Sequence, residues 1–113
     1  MSVMTFDLSG IRGAGSLAGS PATRWYSVEV FIEVVEELIT GPVFPRRISE
    51  LALQLFRHRH SVRYVVEDLA AIGHLEVVTG PVRCDGKPSW KAYRMTPDGR
   101  DRYWPEVVAW RAR

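Results

Sequence analysis

The sequence predicts an α+β domain of three helices, an antiparallel β-hairpin and a C-terminal helix, and three observations carry that expectation. Apolar residues recur at helical spacing in three successive stretches between Ser27 and Gly73. The period then falls to two in "HLEVVTGPV" and "SWKAYRM", two runs joined through Asp85-Gly86, where glycine supplies the positive φ that a tight reversal needs. Finally, Thr96-Pro97 places a capping hydroxyl directly before a proline at the first helical position.

A length of 113 residues, with 46% hydrophobic and 25% charged side chains, suits one domain with a core of its own. Residues 1–24 hold "SGIRGAGSLAGSPAT", rich in Gly, Ser and Ala without periodicity, and read as a flexible arm preceding a domain over 25–113. Met1 to Leu8 is the exception within the arm, where a short strand or a partner contact is conceivable. The lone Cys84 cannot form an internal disulfide. No charged region followed by an apolar run opens the chain, and no stretch of about 18 apolar residues occurs, so a cytoplasmic protein without a membrane span is expected.

The elements follow in order. From Ser27, the residues Val28, Phe31, Val34, Val35, Leu38 and Ile39 share a face. Glu29, Glu33, Glu36 and Glu37 fall on the opposite arc, read as solvated, and Gly41-Pro42 stops the helix. "GPVFPRR" is a loop or very short strand. "ISELALQLF" begins the second helix with Leu51, Ala52 and Leu55 inward. "SVRYVVEDLAAIG" gives the third, over residues 60–72, with His60 or Ser61 first and Ser61 a candidate N-cap, Val62, Val65, Val66, Leu69 and Ile72 inward, and Gly73 at its end. In the hairpin, Leu75, Val77, Tyr93 and Met95 are expected to turn inward. Pro105 should kink or divide the last helix.

Charge is sorted along the chain. Five arginines stand against Glu50 alone between Arg46 and Arg63, and four basic residues stand against Asp85 between Arg83 and Arg94. A formal net charge of +2 says little about partners, but this segregation permits a one-sided basic surface.

"ISELALQLFRHRHSVRYVVEDLAAIGHLE" and "YRMTPDGRDRY" resemble corresponding segments of the winged helix-turn-helix regulators of the MarR and PadR type. Ser49-Glu50-Leu51-Ala52, Val62, Val66, Leu69 and Gly73 match the helix-turn-helix pattern, and "YRMTPDGR" matches the passage from the last wing strand into the final helix. Two departures stand out: Phe56-Arg57 replaces the usual Gly-apolar turn, and His74 stands where an aliphatic residue is usual. The resemblance implies a winged helix (three-helix core with helix-turn-helix, β-hairpin wing, C-terminal helix) that binds double-stranded DNA as a small transcriptional regulator, normally as a homodimer.

On that reading His60, Ser61, Arg63 and Tyr64 face base edges, with Arg63 able to fork onto guanine O6 and N7, and Glu67 one turn further on the same face either accepts from cytosine N4 or repels the backbone. Arg46, Arg47, Arg57, His58, Arg59, Arg83, Lys87 and Lys91 are the candidate phosphate contacts. Tyr103, Trp104, Val107 and Trp110 give the terminal helix more apolar surface than one face needs, so it either covers the first helix or meets its counterpart in a second chain. Trp90 is open to contact with DNA sugar, protein or a subunit. The rival reading of His58 and His60 as zinc ligands lacks convincing third and fourth donors, with Cys84 and His74 the only helpers, and no metal or cofactor is expected. No phosphate loop or nucleophile motif is present, so no enzymatic activity is expected. The alternative function is an adaptor that binds protein through its tryptophans and acidic first helix.

Overall fold

A computed structural model describes residues 26–113, and the arm expected over residues 1–24 lies outside them. The described chain forms α1 (Val28–Thr40), α2 (Ile48–Leu55), α3 (Arg59–Ala71), β1 (Leu75–Thr79), β2 (Lys91–Met95) and α4 (Pro97–Ala112). This is the α+β order expected from the sequence, and it matches the winged-helix layout.

Helix α1 starts where the Ser27 hydroxyl accepts from the Val30 N–H, 3.2 Å away. It is the hub of the core and packs against α2, α3, α4 and β2. Val30 and Ile32 are therefore buried together with Phe31, Val34, Val35 and Leu38, a wider face than the heptad-like pattern indicated. The acidic arc is correspondingly not a solvated face. Glu37 binds Arg46, Glu29 and Glu33 bind Arg57, and Glu36 binds Arg111. Each carboxylate neutralises a cation from another element, so α1 is stitched to α2, to the turn that precedes α3, and to α4.

The loop before α2 does supply a very short strand, a one-residue bridge in which Arg46 and Tyr93 exchange backbone hydrogen bonds of 3.0 and 2.8 Å. At that point the Arg46 side chain is 7% exposed. Its Nη1 donates to Glu37 Oε2 at 2.6 Å and its Nη2 to the Glu37 carbonyl at 2.7 Å, whereas its Nε has no partner. Helix α2 then begins at Arg47, whose N–H is capped by Glu50 Oε1 at 2.7 Å.

The ends of α2 and α3 share one geometry. Gly73 N–H bonds the Ala70 carbonyl and His74 N–H the Leu69 carbonyl, with Gly73 at φ +83°. Phe56 N–H bonds the Leu53 carbonyl and Arg57 N–H the Ala52 carbonyl, with Phe56 at φ 54°. A phenylalanine thus holds the left-handed position that glycine holds at the end of α3, which accounts for the departure noted at Phe56-Arg57.

The strands pair antiparallel, Leu75 opposite Met95 and Val77 opposite Tyr93. Leu75, Tyr93 and Met95 are buried as expected, but Val77 is 43% exposed although it stands opposite the buried Tyr93. Gly86 turns the tip at φ +83°, where Asp85 accepts from the Lys87 N–H and from Arg83. Thr96 caps α4 by accepting from the Gly99 N–H at 3.0 Å while donating to the His74 carbonyl at 3.1 Å. A side chain at Gly99 would strike Met95 Sδ and that same carbonyl, so glycine here permits the close approach of α4 to the hairpin.

Pro105 does not divide α4, which runs unbroken to Ala112. The proline forfeits one helical hydrogen bond, and the burial of Tyr103 and Val107 on either side of it (1% exposed each) holds the helix together across the gap. Those two residues therefore belong to the domain's own core, contrary to their expected place in a dimer contact. Tyr103 stacks edge-on against Phe31 and shares a 2.8 Å hydrogen bond with His74 Nδ1, which explains a histidine where an aliphatic residue is usual. No helix among the described residues is long and apolar enough to cross a membrane.

Candidate nucleic-acid interface

Helix α3 begins at Arg59, one residue before the expected start at His60, so Arg59 belongs to the helix and not to the turn before it. Its N-cap is His58, not Ser61: the His58 Nδ1 accepts from the His60 N–H at 3.1 Å, doing with an imidazole lone pair what a hydroxyl would do. That bond requires the proton of a neutral His58 to sit on Nε2. The two imidazoles stack, with centroids 4.9 Å apart and planes 18° from parallel. Ser61 becomes a residue of the first turn, half-buried.

With the helix starting at Arg59, the residues Arg59, Arg63 and Glu67 follow at intervals of four and form one exposed stripe. The stripe faces the base of the hairpin and the start of α2. Between them lies an open groove of about 520 Å³ lined by Arg47, Arg59, Arg63 and Lys91, with Glu67 its only carboxylate and with Ser49, Ser89, Trp90 and Tyr93 among its other walls. Three segments remote in sequence thus bring four cations to one concavity. Four cations against one carboxylate give the groove a net positive charge.

Local packing fixes the arrangement. The Arg47 guanidinium lies over the Trp90 ring, 5.3 Å from its centroid, which ties the start of α2 to the hairpin. Trp90 also sits so close to Gly80 that a side chain there would collide with its indole. Of the fates open to Trp90, packing on the protein is the one observed, with an exposed edge on the groove. Tyr93 anchors the floor. Burial, reinforced by the Glu67 carboxylate and partly offset by Arg63, raises its phenol above the ordinary value, so it stays a neutral hydroxyl at physiological pH.

The cations expected to touch phosphate divide into three groups. Arg47, Arg59 and Lys91 line the groove with Arg63. Arg83 and Lys87 stand exposed at the hairpin tip, Arg83 paired 2.9 Å from Asp85. Arg46 and Arg57 are withdrawn. Arg46 is buried on Glu37, and Arg57 makes a two-pronged contact with Glu33 at 2.8 and 2.7 Å and a third with Glu29 at 3.2 Å. The Arg57 hydrogen bonds hold the Glu33 carboxyl below its ordinary range.

Of the four expected base readers only Arg63 lines the groove. His60 is exposed, stacked on His58, and Tyr64 is half-buried against the core. Glu67, expected one turn beyond Arg63 on the outer face of this helix, does line the groove, as does Trp90; Ser89 was not singled out. Nothing in the sequence marks Ser89. Among the described residues no group of three or more His, Cys, Asp or Glu side chains converges as a metal site would require, and Cys84 is exposed near the hairpin tip.

Neither a known family model nor any curated protein matches the chain.

Proposed function

We propose that the protein binds double-stranded DNA as a sequence-specific transcriptional regulator of the winged-helix type, like the MarR and PadR regulators that its helix-turn-helix segment resembles. The observation that carries the reading is the groove that unites Arg47, Arg59, Arg63 and Lys91 beside the exposed stripe of α3. In this reading α3 enters the major groove with Arg63 directed at a guanine. Arg47, Arg59 and Lys91 meet phosphates, and Arg83 and Lys87 at the wing tip reach the flanking backbone. Glu67, four residues beyond Arg63, either accepts from a cytosine N4 amino group or repels phosphate, and both effects narrow the set of sequences tolerated. The function is binding and involves no catalytic step.

The regulator acts as a homodimer in this proposal, joined through the outer face of α4. Trp104 and Val108 are 41% and 48% exposed there, and Trp104 borders an apolar recess with Ile39 and Pro105. Trp110, expected at the same contact, lies instead on the inner side of α4, packed against the core beneath the Arg113 guanidinium. Two copies related by a twofold axis would read two half-sites.

The experiment is selection of a preferred duplex from a random pool, followed by fluorescence anisotropy with that duplex and a random one. Arg63→Ala should cost ~1 to 3 kcal/mol on the preferred duplex and far less on the random one. Lys87→Ala should weaken both equally. A pool that yields no preferred sequence, or an Arg63→Ala effect identical on both duplexes, contradicts sequence reading by α3. Sedimentation of Trp104→Ala against the parent tests the dimer, which should dissociate in the variant.

A further inference from the structure

Leu53 and Phe56 stand one helical turn apart at the end of α2, 77% and 92% exposed. With Ala52 and Ser49 they form an apolar shelf of about 420 Å³, bordered by Arg57 and Arg59. Phe56 is the only non-glycine residue at positive φ among the described residues. Glycine would hold that position without strain, as Gly73 does at the end of α3 under the same hydrogen-bond pattern. Within the domain the phenyl ring recovers nothing for this strain, since almost all of it faces solvent. A strained backbone position carrying an unburied aromatic ring is what a contact residue for another molecule looks like.

The border of the shelf states the charge of that molecule. Two cations line it and no carboxylate does. Arg57 is neutralised by Glu33 and Glu29, whereas Arg59 has no ion pair among the described residues. A nucleic acid gains from rows of free cations, and it has those in the groove on the other side of Arg59. Leu53 offers it nothing. An apolar pair beside a single free guanidinium suits instead a protein segment that alternates apolar and acidic faces.

The geometry points to the Leu53–Phe56 shelf as a docking site for an acidic amphipathic segment of another protein, whose apolar side chains cover Leu53 and Phe56 and whose carboxylates meet Arg59. The shelf adjoins the groove, sharing Ser49 and Arg59 with it, but its apolar residues Leu53 and Phe56 lie outside the groove and the proposal does not depend on the DNA-binding reading.

The test is an amide NMR titration of the full chain with a synthetic peptide of Leu and Glu at helical spacing, and with its counterpart in which Lys replaces Glu. The Leu/Glu peptide should give saturable shifts in the amides of residues 52–57. Phe56→Gly should weaken that binding at least tenfold while melting no lower than the parent, and the Leu/Lys peptide should bind at least tenfold more weakly. The proposal is overturned if the Leu/Glu peptide gives no saturable shifts, if its shifts map to α4 or the groove, if Phe56→Gly binds it unchanged, or if both peptides bind alike.

Discussion

Replacing Arg46 with methionine keeps most of the buried volume and deletes both hydrogen bonds to Glu37, at 2.6 and 2.7 Å. Glu37 is then left facing the interior with a carboxylate whose side chain is only 20% exposed. Removing one partner of a buried pair costs ~3 to 5 kcal/mol, and the residual solvent contact of Glu37 places this case near the lower figure. The 88 described residues would have a total stability of about 4 to 13 kcal/mol, so the variant should lose a substantial part of it. The Arg46 Nε has no partner, so the native pair is itself imperfect. The double variant Arg46→Met/Glu37→Leu should accordingly recover most of the loss, because an apolar pair needs no compensation for desolvation. Urea denaturation followed by circular dichroism gives both numbers, with an unchanged m-value confirming that the same surface unfolds. A single-variant loss below about 1 kcal/mol, or a double variant no more stable than the single, would refute the claim that Arg46 is a structural cation.

Phe56→Gly should raise the melting temperature by several degrees, since relief of the left-handed strain is worth ~1 kcal/mol, and a lower melting point in calorimetry would contradict the strain. Glu33 titrates below its ordinary value of 4.5 in the folded chain because Arg57 favours its charged form. Its contribution to stability is therefore complete above about pH 4.5 and is lost as the pH falls through the folded value. Glu33→Gln should flatten the acid limb of the stability–pH curve below about pH 4.5 and leave the slope near neutrality unchanged, which denaturation at stepped pH will show. Tyr103→Phe should cost about 1 kcal/mol through loss of the bond to His74, and His74→Phe in the same background should cost less than it does alone if the two act as a pair.

The order of elements was legible because each boundary carries its own chemistry: Ser27, Thr96-Pro97, Gly73 and Asp85-Gly86 announce their roles locally. Helix α3 was misread at its start because a histidine is an unusual cap, and Ser61 is the more familiar candidate. The earlier start brings Arg59, read as part of the turn, into the helix beside Arg63 and Glu67, which were expected on its outer face, while His60 and Tyr64 from that same expected face lie off the groove. The fates of Arg46 and Arg57 were not legible at all. Both belong to the basic run that suggests a ligand, and only the tertiary approach of Glu37, Glu33 and Glu29 shows them committed within the domain. Likewise Tyr103 and Val107 read as surplus apolar surface until α1 is seen to need cover along most of its circumference. Pattern along the chain identifies a charge, but the partner that neutralises it lies across the fold.

The most direct test of the central claim is the salt dependence of affinity for a random duplex, measured by anisotropy between about 50 and 200 mM salt. If Arg47, Arg59, Lys91 and the wing-tip Arg83 and Lys87 each meet a phosphate, log K should fall with log salt at a slope of about −4.5 per bound protomer, roughly a five-hundredfold loss across that range. Arg59→Ala should reduce the slope by about 0.9, whereas Arg57→Ala should leave it unchanged. No binding at 50 mM salt, or a slope insensitive to Arg59 and the other groove cations, would contradict the account.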